Sequence, residues 1–308
     1  MDMNIVEYLN QLNFTALFLV FIISKLLIET YLKIRNISSI NENKETIPER
    51  FINVVTEEEY KKSINYNIER IRFSILTSVF GVGVLLFFTI GGMLNNLTVF
   101  VQGVTASNVI GAIFLGLLLI VIGEIIEIPL AVYSTFHIEE KYGFNKTTTK
   151  TFVTDLFKNL LIQSIFSSIL YAIVISIIEN LGNNWWIYAF IAVFLLQVII
   201  FYIYPVLILP LFNKFEPLED ERFKKPIERL LKKIEFKAKG LFVMDGSLRS
   251  SHGNAFFTGF GNNKRIVFYD TLLETITPDE MESILGHELG HYKLGHIKKT
   301  LISSIFFG

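Results

Sequence analysis

The residues most able to do chemistry are His287, Glu288 and His291, which stand as His287-Glu288-Leu289-Gly290-His291. On a helix the two imidazoles lie one turn apart on one face, so both can bind a single Zn²⁺. Glu288, beside the first histidine, is placed to act as general base on a water whose pKa such a metal lowers toward ~7. With 5 His in the chain, chance would give H-E-x-x-H roughly 0.006 times. A zinc peptidase reading therefore outweighs that of a polar helix carrying two surface histidines. A catalytic zinc wants a third protein ligand and an open position. His296 is tempting, but the metzincin pattern H-E-x-x-H-x-x-G-x-x-H needs His at 297, where this chain has Ile297. On a continuing helix His296 lies about 140° round from His291, which suggests a structural or interfacial role. Glu280 and Glu282 precede the motif on the same helix and fit poorly. No third ligand is evident among these residues.

Something must hold the motif helix. Thr277-Pro278-Asp279-Glu280 predicts its start, with Thr277 as cap, Pro278 in the first helical position and Glu280 closing a capping box. Phe223, Ile227, Leu230, Leu231 and Ile234 recur at helical spacing among Lys and Arg, with Pro226 in that helix's first turn or kinking it. Leu241–Gly246, Asn254–Phe260 and Arg265–Asp270 are short β-rich runs. Gly261-Asn262-Asn263-Lys264 supplies turn chemistry between the last two, so a hairpin is expected. Residues 212–300 thus read as a small α+β zinc-protease unit.

The rest of the chain belongs in a bilayer. Hydrophobic residues make up 51%, Phe alone numbers 29, and only 19% are charged; mean hydropathy is +0.47. Five stretches reach the ~20 mostly apolar residues a membrane helix needs: about Leu12–Leu32, Ile71–Met93, Asn108–Ala131, Leu156–Ile178 and Trp185–Leu211. Residues 1–211 form this membrane domain, and 301–308 begin a sixth span. The first span is too long for a cleavable signal and no basic residue precedes it. Lys and Arg number eight in Lys33–Arg72, four in Phe136–Lys158 and fifteen in Phe212–Thr300, and none in the segment before Leu12, in Leu94–Ser107 or in Glu179–Asn184. That alternation places the 212–300 block in the cytosol. Lys33–Arg72 reads as a solvated helical connector. A net charge of −1 leaves no footprint for nucleic acid. The absence of Cys excludes disulfides, thiolate zinc sites and a cysteine nucleophile.

Polar residues inside spans need partners, because a charge at mid-bilayer costs about 2.5–3.5 kcal/mol on insertion scales. Lys25 and Glu29, at i and i+4, can neutralise each other. Glu124 and Glu127, just before Pro129, need a polar home or an interface to snorkel to.

Several stretches resemble one family. Ser251-His252-Gly253-Asn254-Ala255-Phe256-Phe257-Thr258-Gly259-Phe260, Lys264-Arg265-Ile266-Val267, Asp270-Thr271-Leu272-Leu273, the run from His287 to His296, and Ile138-Glu139-Glu140-Lys141-Tyr142-Gly143-Phe144-Asn145-Lys146 are similar to the CAAX prenyl protease 1 family, integral-membrane zinc endopeptidases of the gluzincin type. The resemblance implies a mainly α, polytopic membrane protein: a multi-span helical bundle with a cytosolic gluzincin-like α+β unit. It implies one Zn²⁺ per chain on His287 and His291, with Glu288 as general base. It marks His252, Asn254, Ala255 and Phe256 as substrate-binding, on an edge strand that pairs with an extended peptide; His252 and Asn254 also read simply as turn residues. The implied partners are the lipid bilayer and a peptide or protein substrate, prenylated C-terminal CAAX peptides among them. The membrane would be the endoplasmic reticulum of a eukaryote or the inner membrane of a bacterium. The family has seven spans around a water-filled chamber, and its third zinc ligand is a Glu beyond the seventh. This chain stops in its sixth span, so it reads as the N-terminal piece of such a protease. A catalytically incomplete membrane scaffold is the competing reading, and a proton-coupled transporter using Glu124 a weaker one.

Overall fold

Long uncharged apolar runs have no alternative to helix in a bilayer, where every backbone polar group must be satisfied internally. The computed structural model describes residues 5–233, 236, 239–258, 265–296, 299–300 and 303 (the side chains of 5–12, 50, 258, 288 and 292 excepted). Five of its helical segments are long and apolar enough to cross a membrane. These are α1 (Ile5–Asn43), α2 (Glu57–Thr89), α4 (Asn108–Tyr133), α5 (Thr149–Asn180) and α6 (Trp185–Ile203). α4 runs on through a π-helical turn, Ser134–Glu139, and α6 through another, Tyr204–Ile208, into α7 (Leu209–Phe212). Two details depart from expectation. The second apolar stretch does not continue to Met93: α2 stops at Thr89 and Gly92 adopts φ +77°. The segment read as a loop after it is a helix, α3 (Met93–Val104), whose Leu94, Leu97 and Val101 recur at helical spacing, with Val101 buried.

The chain divides into two compact units, Met1–Val104 with Pro129–Tyr142, and Thr105–Ile128 with Gly143–Gly308. In the first, α1 packs on α2, and Lys33 Nζ donates to Ser78 Oγ at 2.9 Å. α2 begins with a capping box in which Thr56 and Glu59 bond reciprocally. Tyr66 donates its hydroxyl to Glu139, at 2.8 Å from Oε1. Lys141 and Tyr142 both donate to Glu69, at 2.6 and 2.7 Å. Lys25 and Glu29 meet at 3.9 Å on the surface of α1.

In the second unit α5 packs on α6. Glu124 finds the polar partner it needs, accepting from Gln163 Nε2 at 3.0 Å. Gly116 lies against Tyr171 so closely that a Cβ there would meet the ring at 2.0 Å. After the spans come β1 (Phe215–Pro217), α8 (Glu221–Lys233), β2 (Gly240–Met244), β3 (Ala255–Thr258), β4 (Arg265–Tyr269), α9 (Asp270–Thr275) and α10 (Pro278–Lys293). The sheet order is β1-β2-β4-β3. β2 and β4 are parallel, Phe242 opposite Val267, and β3 and β4 antiparallel, Phe256 opposite Val267. The β3–β4 pairing is the expected hairpin; its turn, 259–264, lies outside the described residues. Pro226 sits in the second turn of α8 rather than its first. The buried positions of α8, Phe223, Ile227 and Leu231, repeat at i, i+4, i+8 and share one core with Ile266, Phe268, Met281, Leu285 and Leu289.

A candidate metal centre beside an edge strand

α10 is fixed at its start and along its floor. The backbone N–H of Thr277 donates to Glu280 Oε2 at 2.7 Å, and the N–H of Glu280 returns to Thr277 Oγ1 at 3.4 Å. The Thr277 N–H, and then the Thr277 hydroxyl, which donates to the same Oε2 at 2.8 Å, hold the exposed Glu280 carboxyl below its ordinary value. Met281, Leu285 and Leu289 are the buried face. His287 and His291 each lie two residues past a buried leucine, about 200° round the helix, so packing the floor turns both imidazoles outward. Their Nε2 atoms come within 3.1 Å.

That separation can be tested against a metal. Two imidazoles at ~2.0–2.1 Å from one tetrahedral zinc have nitrogens about 3.3 Å apart. The two histidines therefore fit as a pair of ligands, borderline nitrogen donors suited to Zn²⁺. Glu288 lies between them on α10, its side chain outside the described residues. No group of three His, Asp or Glu able to hold a metal occurs among the described residues.

His296 is not where a continuing helix would put it. α10 ends at Lys293, and Gly295 takes φ +66°, which breaks the helical path there. As a result His296 Nδ1 lies 2.8 Å from His291 Nδ1. The expected 140° separation holds only on a continuing helix, and Gly295 interrupts the helix before His296.

The four residues expected to hold substrate lie at or just before β3, at the sheet's edge, and α10 packs against this strand. Ala255 is buried, opposite Phe268. Phe256 sets its ring edge-on to Tyr269, centroids 6.2 Å apart. Asn254 accepts from Tyr269 N at 2.9 Å through its carbonyl, extending the ladder, and its Oδ1 takes the N–H of Ala255 at 2.8 Å. His252 stacks its ring on Phe144, centroids 4.3 Å apart and planes at 21°, while its carbonyl accepts from Thr271 Oγ1 at 3.0 Å.

Sequence reasoning missed what anchors this strand's approach. Arg249 donates to both oxygens of Asp155, at 2.6 and 3.0 Å, and to Asn213 Oδ1 and the Phe212 carbonyl, at 3.0 and 2.8 Å. Its own carbonyl accepts from Lys146 N at 3.1 Å and Thr147 Oγ1 at 3.0 Å. Ser251 N donates to Phe144 O at 3.1 Å. The loop 143–147 thus runs beside 249–252 and fixes the chain entering β3. Asp155, a carboxylate at the mouth of an apolar span, was the available signal.

Comparison with known proteins agrees along the chain. Residues 36–214 match the family model described as CAAX prenyl protease N-terminal, five membrane helices, and residues 217–307 match Peptidase family M48. A CAAX prenyl protease 1 homolog of Arabidopsis thaliana is 36% identical over 300 residues, covering 92% of this chain and 68% of that protein. CAAX prenyl protease 1 of Saccharomyces cerevisiae is 36% identical over 297 residues, covering 92% and 65%. The crystal structure of S. mikatae Ste24p superposes with a TM-score of 0.86 at 33% identity, covering 94% of this chain and 69% of that one. The chain spans about two thirds of the length of these relatives.

Proposed function

The chain belongs to the CAAX prenyl protease 1 family of membrane metallopeptidases, and from that premise we propose that it binds one zinc at His287 and His291 and hydrolyses peptide bonds of extended substrates, prenylated C-terminal CAAX peptides among them. The observation that carries this reading is the 3.1 Å approach of the two Nε2 atoms on the outward face of a capped helix, with an edge strand packed against that helix. Zinc held there supplies a Lewis acid that makes water acidic near neutral pH. Glu288 takes the water's proton as general base and returns it to the departing amine. The β3 edge, from Ala255 onward, offers main-chain groups to a peptide in strand addition, and His252, Asn254 and Phe256 flank that path. Main-chain pairing holds a peptide straight while reading few of its side chains, which suits a lipid-modified end of variable sequence.

The five membrane-length helices make this an integral membrane protein. The basic character of Phe212–Thr300 supports a cytosolic protease unit over 212–300, on an endoplasmic-reticulum membrane in a eukaryote or an inner membrane in a bacterium. The test is Glu288→Gln in the protein extracted from its own membrane, given a farnesylated CAAX peptide. Zinc content should stay at one per chain while cleavage disappears; turnover retained in that variant would sink the mechanism.

A further inference from the structure

We propose that His296 is a positioning residue for the metal ligand His291, accepting the His291 Nδ1–H and so fixing the tautomer that leaves Nε2 for zinc. The inference rests on the zinc reading of His287 and His291 given above. A neutral imidazole carries its proton on one nitrogen and a lone pair on the other. If His291 ligates through Nε2, its Nδ1 must carry the proton and needs an acceptor. The acceptor present is His296 Nδ1, 2.8 Å away, with ring centroids 4.8 Å apart and planes at 80°. His291 is then held from two sides, with Nδ1 toward His296 and Nε2 toward His287 Nε2 at 3.1 Å.

The backbone is built for this meeting. Leu294 N still donates to Gly290 O at 2.9 Å, closing the last turn. Gly295 then takes φ +66°, a left-handed conformation that side chains resist. A Cβ at Gly295 would meet nothing within 4 Å, so the glycine serves backbone direction rather than space. Its consequence is to bring residue 296 back toward the face that carries His287 and His291. Ligating histidines usually give their second N–H to a carboxylate, a carbonyl or water; here an imidazole takes that part. The bland alternative is a histidine that simply finishes the helix end and interacts with its dipole.

Two variants of nearly identical shape separate these readings. His296→Asn keeps an acceptor oxygen near the Nδ1 position, and His296→Leu fills the same volume without one. Zinc retention is measured on the zinc-loaded, membrane-extracted protein by titration with a competing chelator. The leucine variant should hold zinc about 10–100-fold more weakly than wild type, the usual effect of losing such a partner. The asparagine variant should recover most of that loss. Equal affinity in both variants, whether unchanged or equally reduced, overturns the positioning role while leaving the zinc site standing. A wild-type protein that holds no zinc overturns the site and the positioning role together.

Discussion

Phe14 in the first span and Phe268 in the sheet are the same residue in two solvents. Phe14 is 72% exposed to its surroundings and Phe268 0%. The most apolar window of α1 buries no residue at all, whereas the core under the sheet gathers three α8 residues, two from β4 and three from α10. In lipid an apolar side chain gains little by leaving one hydrocarbon environment for another, so helix association there depends on packing and polar contacts. The spans accordingly show selected contacts: Lys33 on Ser78, Gln163 on Glu124, and Gly116 beneath Tyr171. The sheet unit is held by burial from water, and its helices present one face each. The site lies on the opposite face of the helix that burial fixes most firmly.

The largest test of this contrast is Phe268→Ala, expected to cost about 3–5 kcal/mol in chemical denaturation of the detergent-solubilised protein. Phe14→Ala should stay within about 0.5 kcal/mol. Comparable losses at the two positions would break the comparison. Next in size is Gly116→Val in α4, which forces Tyr171 aside and should cost about 1–3 kcal/mol, whereas removing the exposed Phe14 of α1 costs nearly nothing. A neutral result there would mean that α4 and α5 do not depend on that contact. The smallest effect concerns acid. The Thr277 backbone bond, then its hydroxyl, hold the Glu280 carboxyl below 4.5 in the folded state. A depressed carboxyl stabilises fully above its unfolded value, and that contribution fades as pH falls below 4.5 through the folded one. Melting of the wild type should therefore sag slightly more on acidification than melting of Glu280→Gln, which keeps an acceptor without titrating. Parallel curves would remove Glu280 from the account of what steadies α10.

Much of this was legible in the residues. Apolar length gave the five spans, since an uninterrupted apolar run of about 20 residues fits a membrane helix, which satisfies its own backbone, and not the shorter alternating strand of a barrel. Thr277 and Glu280 marked the start of α10 because capping chemistry is local. The three β runs followed from side-chain type and turn residues, and the edge position of the stretch His252–Phe257 from the family resemblance. What escaped was whatever depended on distant partners or on one dihedral. β1 is three residues long and carries a proline, too little pattern for a strand; it exists because β2 is there to pair with it. Nothing in the spacing around Arg249 marks it, and only the fold brings Asp155, 94 positions earlier in the chain, to its guanidinium. His296 was misplaced by a single positive φ at Gly295. Sequence spacing is a ruler only while the helix lasts.

The sheet order leaves two outer strands, and they are not equally open to a newcomer. β1 offers Phe215, Glu216 and Pro217: a short run with a charge at its centre and a residue that lacks an N–H to donate. Such features blunt an edge against stray pairing. β3 carries neither a charge nor a proline along Ala255–Thr258. A chain of any sequence arriving extended therefore finds one edge that can recruit it and one that turns it away. The protein can keep a sticky strand beside the proposed metal site without inviting copies of itself to stack on the other side.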